Sequence, residues 1–264
     1  MHYVDIHTHL THDKFKPDLD LVIKRAVDAG LESIVVNGLE PVSNREILEL
    51  AQRYPAIKPA LGIYPIEAIN DILPEDFHHP IPKFDVNDEI DFNRTQAEDK
   101  KIIAIGECGL DGYWVGPETY EPQEKVFEQL IEIAKNNNLP IIVHSRKLEK
   151  RTGEILAHNQ VERVDFHCFC GRTKLAKQLA ETHGWHFSIP ANVNNNEAFQ
   201  KMLRILPLES ILTETDAPYL APVRGERNEP ANVVGTIDTF AKIREISHEE
   251  AKKVVWDNYC RLVK

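Results

Sequence analysis

The chain has few of the features that would place it quickly in several function classes. Only four cysteines occur in 264 residues, Cys108, Cys168, Cys170 and Cys260, and none forms a CxxC pair. A disulfide scaffold and a zinc ribbon are thereby excluded, and reduced thiols in the cytoplasm are the expectation. No apolar run approaches the roughly 20 residues that span a bilayer, so no membrane partner is expected. Nothing near Met1 reads as a signal peptide, because the chain runs straight into an apolar strand. Positive charge is scarce too: 31 Lys and Arg against 42 Asp and Glu leave a formal net charge of −11. A broad electrostatic grip on duplex DNA needs clustered cations, so any nucleic-acid contact is expected to be local. There is no Gly/Ser-rich linker, no internal repeat and no GxGxxG after the first strand.

What is present is ordinary globular composition, 42% apolar and 28% charged, with short apolar runs alternating with amphipathic stretches. Strands are predicted near 3–7, 33–36, 57–62, 102–106, 140–144, 163–167, 185–189 and 211–214. Helices are predicted near 17–29, 44–53, 122–136, 151–158, 173–182, 195–205, 231–245 and 248–262. Leu19, Val22, Ile23, Ala26 and Val27 follow the spacing of a core-facing helical stripe, as do Val126, Leu130, Ile133 and Ala134. Eight strands alternating with helices predict an α/β fold, a (β/α)8 TIM barrel, in a single domain over 1–264. One segment, about 66–100, is rich in Pro and acidic residues and reads as a long insert after the third strand. Its Phe77-His78-His79 triplet reads as surface histidines.

The ends of the strands carry the chemistry. His7 and His9 close the first strand two residues apart, which puts both imidazoles on one side. Alone, such a pair suits a metal half-site and a surface pair equally. Later strand runs lead in the same way to Glu107, His144, His167 and Asp216. Strand carboxyl ends converge on one mouth of a barrel, so six ligand-type residues from strands one, four, five, six and eight are predicted to meet. Imidazoles with carboxylates suit zinc, manganese or iron better than calcium. An ion pair with a nearby Lys or Arg is the competing role for Glu107.

The chain resembles the TatD family of metal-dependent deoxyribonucleases in the amidohydrolase superfamily. The matching stretches are Asp5-Ile6-His7-Thr8-His9-Leu10, Ala104-Ile105-Gly106-Glu107-Cys108-Gly109-Leu110-Asp111 and Pro140-Ile141-Ile142-Val143-His144-Ser145-Arg146. They continue with Phe166-His167-Cys168-Phe169, Thr213-Glu214-Thr215-Asp216-Ala217-Pro218-Tyr219-Leu220 and Arg224-Gly225-Glu226-Arg227-Asn228-Glu229-Pro230. The resemblance implies two divalent cations per chain, magnesium, zinc or manganese. His7, His9 and Asp216 would hold the first, His144 and His167 the second, with Glu107 shared. It further implies hydrolysis of DNA, from the 3′ end of single strands or frayed ends, with Asp216 and Glu107 as catalytic residues and a monomer favoured. Hydrolysis of a small ester, lactone, amide or phosphoester is the alternative, since one scaffold hosts many substrates.

Arg146, Arg224 and Arg227 are candidate phosphate contacts, because a guanidinium fork matches phosphate oxygens. For Arg227, bracing a loop is the competing role. Tyr113 and Trp114 are candidates for stacking on a base, or for packing at the barrel rim. Three positions depart from the family pattern. Tyr64 stands where a His is common in the turn after the third strand, Lys147 where an acidic residue is common, and Cys170 where Ser is usual. Tyr64 keeps a hydroxyl for substrate binding but is a poor proton carrier near neutrality.

Overall fold

The computed structural model describes residues 2–74, 77 and 80–264. Eight strands pair in parallel and in sequence order within one sheet: β1 (Tyr3–Thr8), β2 (Leu31–Asn37), β3 (Ile57–Leu61), β4 (Ala104–Asp111), β5 (Ile141–Arg146), β6 (Val164–Phe166), β7 (His186–Ile189) and β8 (Ile211–Thr213). The ring is closed by the chain just beyond β8. The Asp216 N–H donates to the His7 carbonyl at 2.9 Å, and the His9 N–H donates to the Ala217 carbonyl at 2.8 Å. Candidate ligand residues thus form the seam of a nearly closed (β/α)8 barrel.

Helices α1 (Leu19–Asp28), α2 (Pro41–Arg53), α3 (Val86–Glu98), α4 (Tyr120–Asn136), α5 (Glu149–His158), α6 (Thr173–His183), α7 (Glu197–Ile205), α8 (Val233–Arg244) and α9 (His248–Val263) accompany the strands. Local chemistry fixes their starts. Glu40 caps α2 in a reciprocal box with Ser43, ahead of Pro41 in the first turn, and Ser247 does the same for α9 with Glu250. The stripe on α4 is buried as its spacing predicts. On α1, Val22, Ile23 and Ala26 are buried, whereas Val27 is exposed. Strand residues such as Ile34, Ile105, Ile142 and Phe187 are fully buried in one continuous core. Each such side chain contributes roughly 1.5–3 kcal/mol of apolar burial. No helix among the described residues is long and apolar enough to cross a membrane.

The expected insert at 66–100 is largely an ordinary barrel unit. It contains α3, capped by the Asp85 carboxylate on the Asn87 and Asp88 N–H groups. The sequence hides this helix because its buried face is mostly polar: Glu89, Asn93 and Gln96 lie there beside Ile90 and Ala97. Asn44 on α2 donates to Glu89 at 2.7 Å, and Arg45 pairs with the same carboxylate, so the buried Glu89 charge is satisfied. Among the described residues between β3 and α3 there is one short helical turn, Glu67–Ile69. His78 and His79 lie outside the described residues.

Two glycines bring the strands around β4 unusually close. At Gly109, φ is +138°, and an added Cβ would lie 2.0 Å from the His144 carbonyl oxygen. At Gly62, an added Cβ would lie 2.4 Å from the Glu107 carbonyl oxygen. No side chain fits at either position without moving backbone, and the result is a β4 held tightly between its neighbours. Strand β4 also runs five residues past its predicted end, so Glu107 lies within the strand rather than after it.

Candidate metal centre

All six residues expected from the strand ends meet at the carboxyl mouth of the barrel. The Nε2 atoms of His7 and His9 face each other at 3.2 Å. Glu107 divides its two oxygens between two groups of imidazoles. Its Oε2 lies 3.4 Å from His7 Nε2 and 3.5 Å from His9 Nε2. Its Oε1 lies 2.9 Å from His144 Nδ1 and 3.0 Å from His167 Nε2. Asp216 Oδ1 joins the first group, 3.4 Å from His9 Nε2 and 3.8 Å from His7 Nε2. The rings of His7 and His167 stack with centroids 3.8 Å apart, so the groups adjoin.

Neighbouring acceptors decide which ring nitrogens are free. His9 Nδ1 faces the Asn37 carbonyl at 3.2 Å. A carbonyl only accepts, so Nδ1 carries the hydrogen and Nε2 offers its lone pair. His144 Nε2 faces the Asp111 carboxylate at 2.9 Å, which leaves Nδ1 turned to Glu107. Burial works against charged His9 and His144, yet Asp216 and Glu107 raise His9, and Asp111 and Glu107 push His144 up to about 9, so a cation would have to displace their protons. Burial, with the His167 charge second, pushes His7 down to about 4, so it is neutral at pH 7. Burial works against ionised Glu107, yet the His167 and His7 charges and the bonds from His144 and His167 hold it well below the usual carboxylate range. For Asp216 too, burial is outweighed, here by the bond to His9 and the His9, His7 and His167 charges. Ionised carboxylates and imidazole nitrogens converging from buried side chains are the donor set a divalent cation requires, the ring protons being released as it binds. The residues therefore fit the expected cofactor.

Asp216 reaches this position with φ at +55°, a left-handed conformation that Asp tolerates better than most residues. Such geometry is concentrated at functional sites because the surroundings must hold it in place. Here the backbone bond from Asp216 to His7 does so.

The sequence reading missed the supports beneath the ligands. Asp5 accepts from the Thr215 N–H at 2.9 Å and from its hydroxyl at 2.5 Å. The Ser188 hydroxyl lies 2.8 Å from Asp165 and 2.7 Å from Glu214. One hydroxyl hydrogen cannot serve two ionised carboxylates, so one of these acids keeps its proton. Burial pushes Asp5 and Asp165 up to about 7 and Glu214 well above the usual range. A signal for them was present: each lies two residues before a ligand, Asp5 before His7, Asp165 before His167 and Glu214 before Asp216.

A cavity of about 890 Å³ opens over the centre, with His9, Tyr64, Glu107, Trp114, His144, Arg146, His167 and Asp216 in its wall. The Tyr64 hydroxyl donates to Asp111 at 3.4 Å and lies 3.5 Å from His144 Nε2, at the edge of the second group. The Arg146 guanidinium sits 3.6 Å over the exposed Tyr113 ring. Arg224 is exposed, outside the cavity wall, and forms no ion pair among the described residues. Arg227 places both terminal nitrogens on Asp18, at 2.6 and 2.7 Å, and donates to the Lys14 carbonyl. Its fork braces the loop before α8 against the start of α1, which is the competing role weighed for it above.

The family model for TatD-related DNases matches residues 4–264. An uncharacterised metal-dependent hydrolase of Methanocaldococcus jannaschii is 35% identical over 264 residues, covering 99% of this chain and 97% of that protein. The human protein named deoxyribonuclease TATDN3 is 33% identical, covering 98% of this chain and 93% of its own length. Among solved structures, the TatD homologue YjjV of Escherichia coli superposes with a TM-score of 0.85 at 23% identity, over 99% of this chain and 97% of that one. Eight parallel strands around a shared carboxylate, and a family match over essentially the whole length, lead to one conclusion: the chain belongs to the TatD-related DNases, a family of metal-dependent hydrolases.

Proposed function

We propose that the protein is a deoxyribonuclease that holds two divalent cations and removes nucleotides from the 3′ end of single-stranded or frayed DNA. The observation that carries this reading is the division of Glu107, one oxygen toward His7 and His9 and the other toward His144 and His167. When bound, the cations would polarise the phosphate, acidify water and stabilise the leaving oxygen. The remaining work falls to the chain itself. Asp216, ionised at neutral pH, accepts the proton of the attacking water. Arg146 offers a charged fork at the cavity wall, and Tyr113 beneath it holds that fork in place. Trp114, in the same wall, gives a base an aromatic face to stack on. Arg224 supplies a further phosphate contact from outside the wall. Cys108, Cys168, Cys170 and Cys260 are all free thiols, in keeping with work in the cytoplasm.

The test is a panel of single-stranded DNA, blunt duplex, closed circular duplex and a simple lactone, each with and without a chelator. The expected result is chelator-sensitive cleavage that is fastest on single strands and absent on the closed circle. Equal cleavage of the closed circle would remove the end-directed part. Lactone turnover without cleavage of any nucleic acid would replace the reading with the small-ester alternative.

A further inference from the structure

The cavity wall contains four carboxyls outside the ligand set: Asp13, Glu40, Glu46 and Glu67. Asp13 pairs with Lys16 in solvent, and Glu40 is occupied as the cap of α2. Glu46 lies half-buried on α2. Glu67 is different. Its Oε2 is buried and has no hydrogen-bond partner. It opens the short turn after β3, three residues beyond Tyr64. Ile66, Ile69 and Leu73 anchor that turn in an apolar cluster against Tyr64, Ile81 and Val115. The Asn70 side chain ties the same turn to the Phe84 backbone. A carboxyl held this firmly, with an unsatisfied oxygen, is costly to fold unless it has work to do. Burial, reinforced by the Glu107 and Glu40 charges, pushes Glu67 up to about 8, so it carries its proton at neutral pH.

Phosphodiester hydrolysis needs such a proton. Asp216 takes one from the water, but an alkoxide leaving from phosphorus must gain one. The Tyr64 hydroxyl already donates its hydrogen to Asp111. We propose that Glu67 is the general acid, giving its carboxyl proton to the leaving 3′ oxygen as the P–O bond breaks. The bonding pair passes to the leaving oxygen, which takes the Glu67 proton. The water oxygen forms the new bond to phosphorus and gives its proton to Asp216. Glu67 is left as a carboxylate and regains a proton from solvent, to which Asp216 releases the one it took. This role rests on the phosphodiesterase reading above.

The experiment compares wild type and Glu67→Gln on two substrates, a single-stranded oligonucleotide and the p-nitrophenyl ester of thymidine 5′-phosphate. Gln matches a neutral carboxyl in shape but has no acidic proton, and nitrophenolate departs without needing one. Expected is a fall of about 100- to 10,000-fold in kcat on the oligonucleotide. The nitrophenyl ester should lose less than about threefold, with bound metal unchanged. An equal fall on both substrates, or no fall on the oligonucleotide, overturns the role of Glu67 while leaving the phosphodiesterase reading in place. A wild-type protein that cleaves neither substrate removes both.

Discussion

Asp111 Oδ2 lies 2.9 Å from His144 Nε2, and this one contact decides which nitrogen of His144 faces the metal centre. The carboxylate is itself fixed, with the Tyr113 and Trp114 N–H groups on its other oxygen at 2.7 and 3.0 Å. Partners of this kind set the tautomer and orientation of a metal-binding imidazole. Asp111→Ala should therefore weaken cation binding at the His144–His167 group about 10- to 100-fold. Competition titration with a coloured chelator reads this directly. Unaltered affinity would show that Glu107 alone suffices to orient the ring.

In the proposed two-ion centre, Glu107→Ala should reduce bound metal to at most one ion per chain, because both groups lose the same carboxylate. Elemental analysis after reconstitution and desalting measures it. A wild-type chain that retains no divalent cation under those conditions would end the dinuclear reading.

Asp216→Asn should lower kcat by orders of magnitude while much of the metal is kept. An amide does not accept the proton of water, yet its oxygen still ligates. Asn also tolerates the +55° φ at this position, so the backbone should be little disturbed. Near-normal kcat on single-stranded DNA would leave water activation to another group.

The two arginines of the 224–230 stretch should separate by assay. Arg227→Ala should lower the melting temperature and leave KM nearly unchanged, since its partner is Asp18. Arg224→Ala should leave melting unchanged and raise KM for DNA about 10- to 100-fold, the loss of one charge-assisted contact. The opposite pattern would exchange their roles.

His186, at the start of β7, gives a pH-dependent stability term away from the metal centre. Burial, with the Arg261 charge second, pushes it down to about 4. In the unfolded chain it returns to about 6.5, so unfolding takes up a proton between those values. Its contribution to stability is present above pH 6.5 and is lost as pH falls toward 4, by up to roughly 3 kcal/mol. The melting temperature of His186→Leu, relative to wild type, should rise across that window. A constant difference from pH 7 to pH 4 would mean that the native state protonates His186 without penalty.

Apolar periodicity located the strands and most of the helices, because burial of a stripe or an alternating face is a local property of the residues that carry it. The six ligand candidates were legible for the same reason: a polar residue ending a β-branched run is visible without knowing its neighbours. Helix α3 was not legible, because Glu89 and Asn93 are buried against Asn44, with Arg45 on the same carboxylate, residues far away in sequence. Nor did the sequence separate Arg227 from Arg224, since only folding brings Asp18 to one and not the other. The division of Glu107 between two groups likewise exists only in the closed barrel. It requires β4 to be pressed between β3 and β5 at Gly62 and Gly109, so that one carboxylate lies within reach of imidazoles from three other strands. Residue types and their spacing are written locally, whereas a carboxylate shared between two groups of imidazoles is a distance between parts of the chain that only tertiary packing sets.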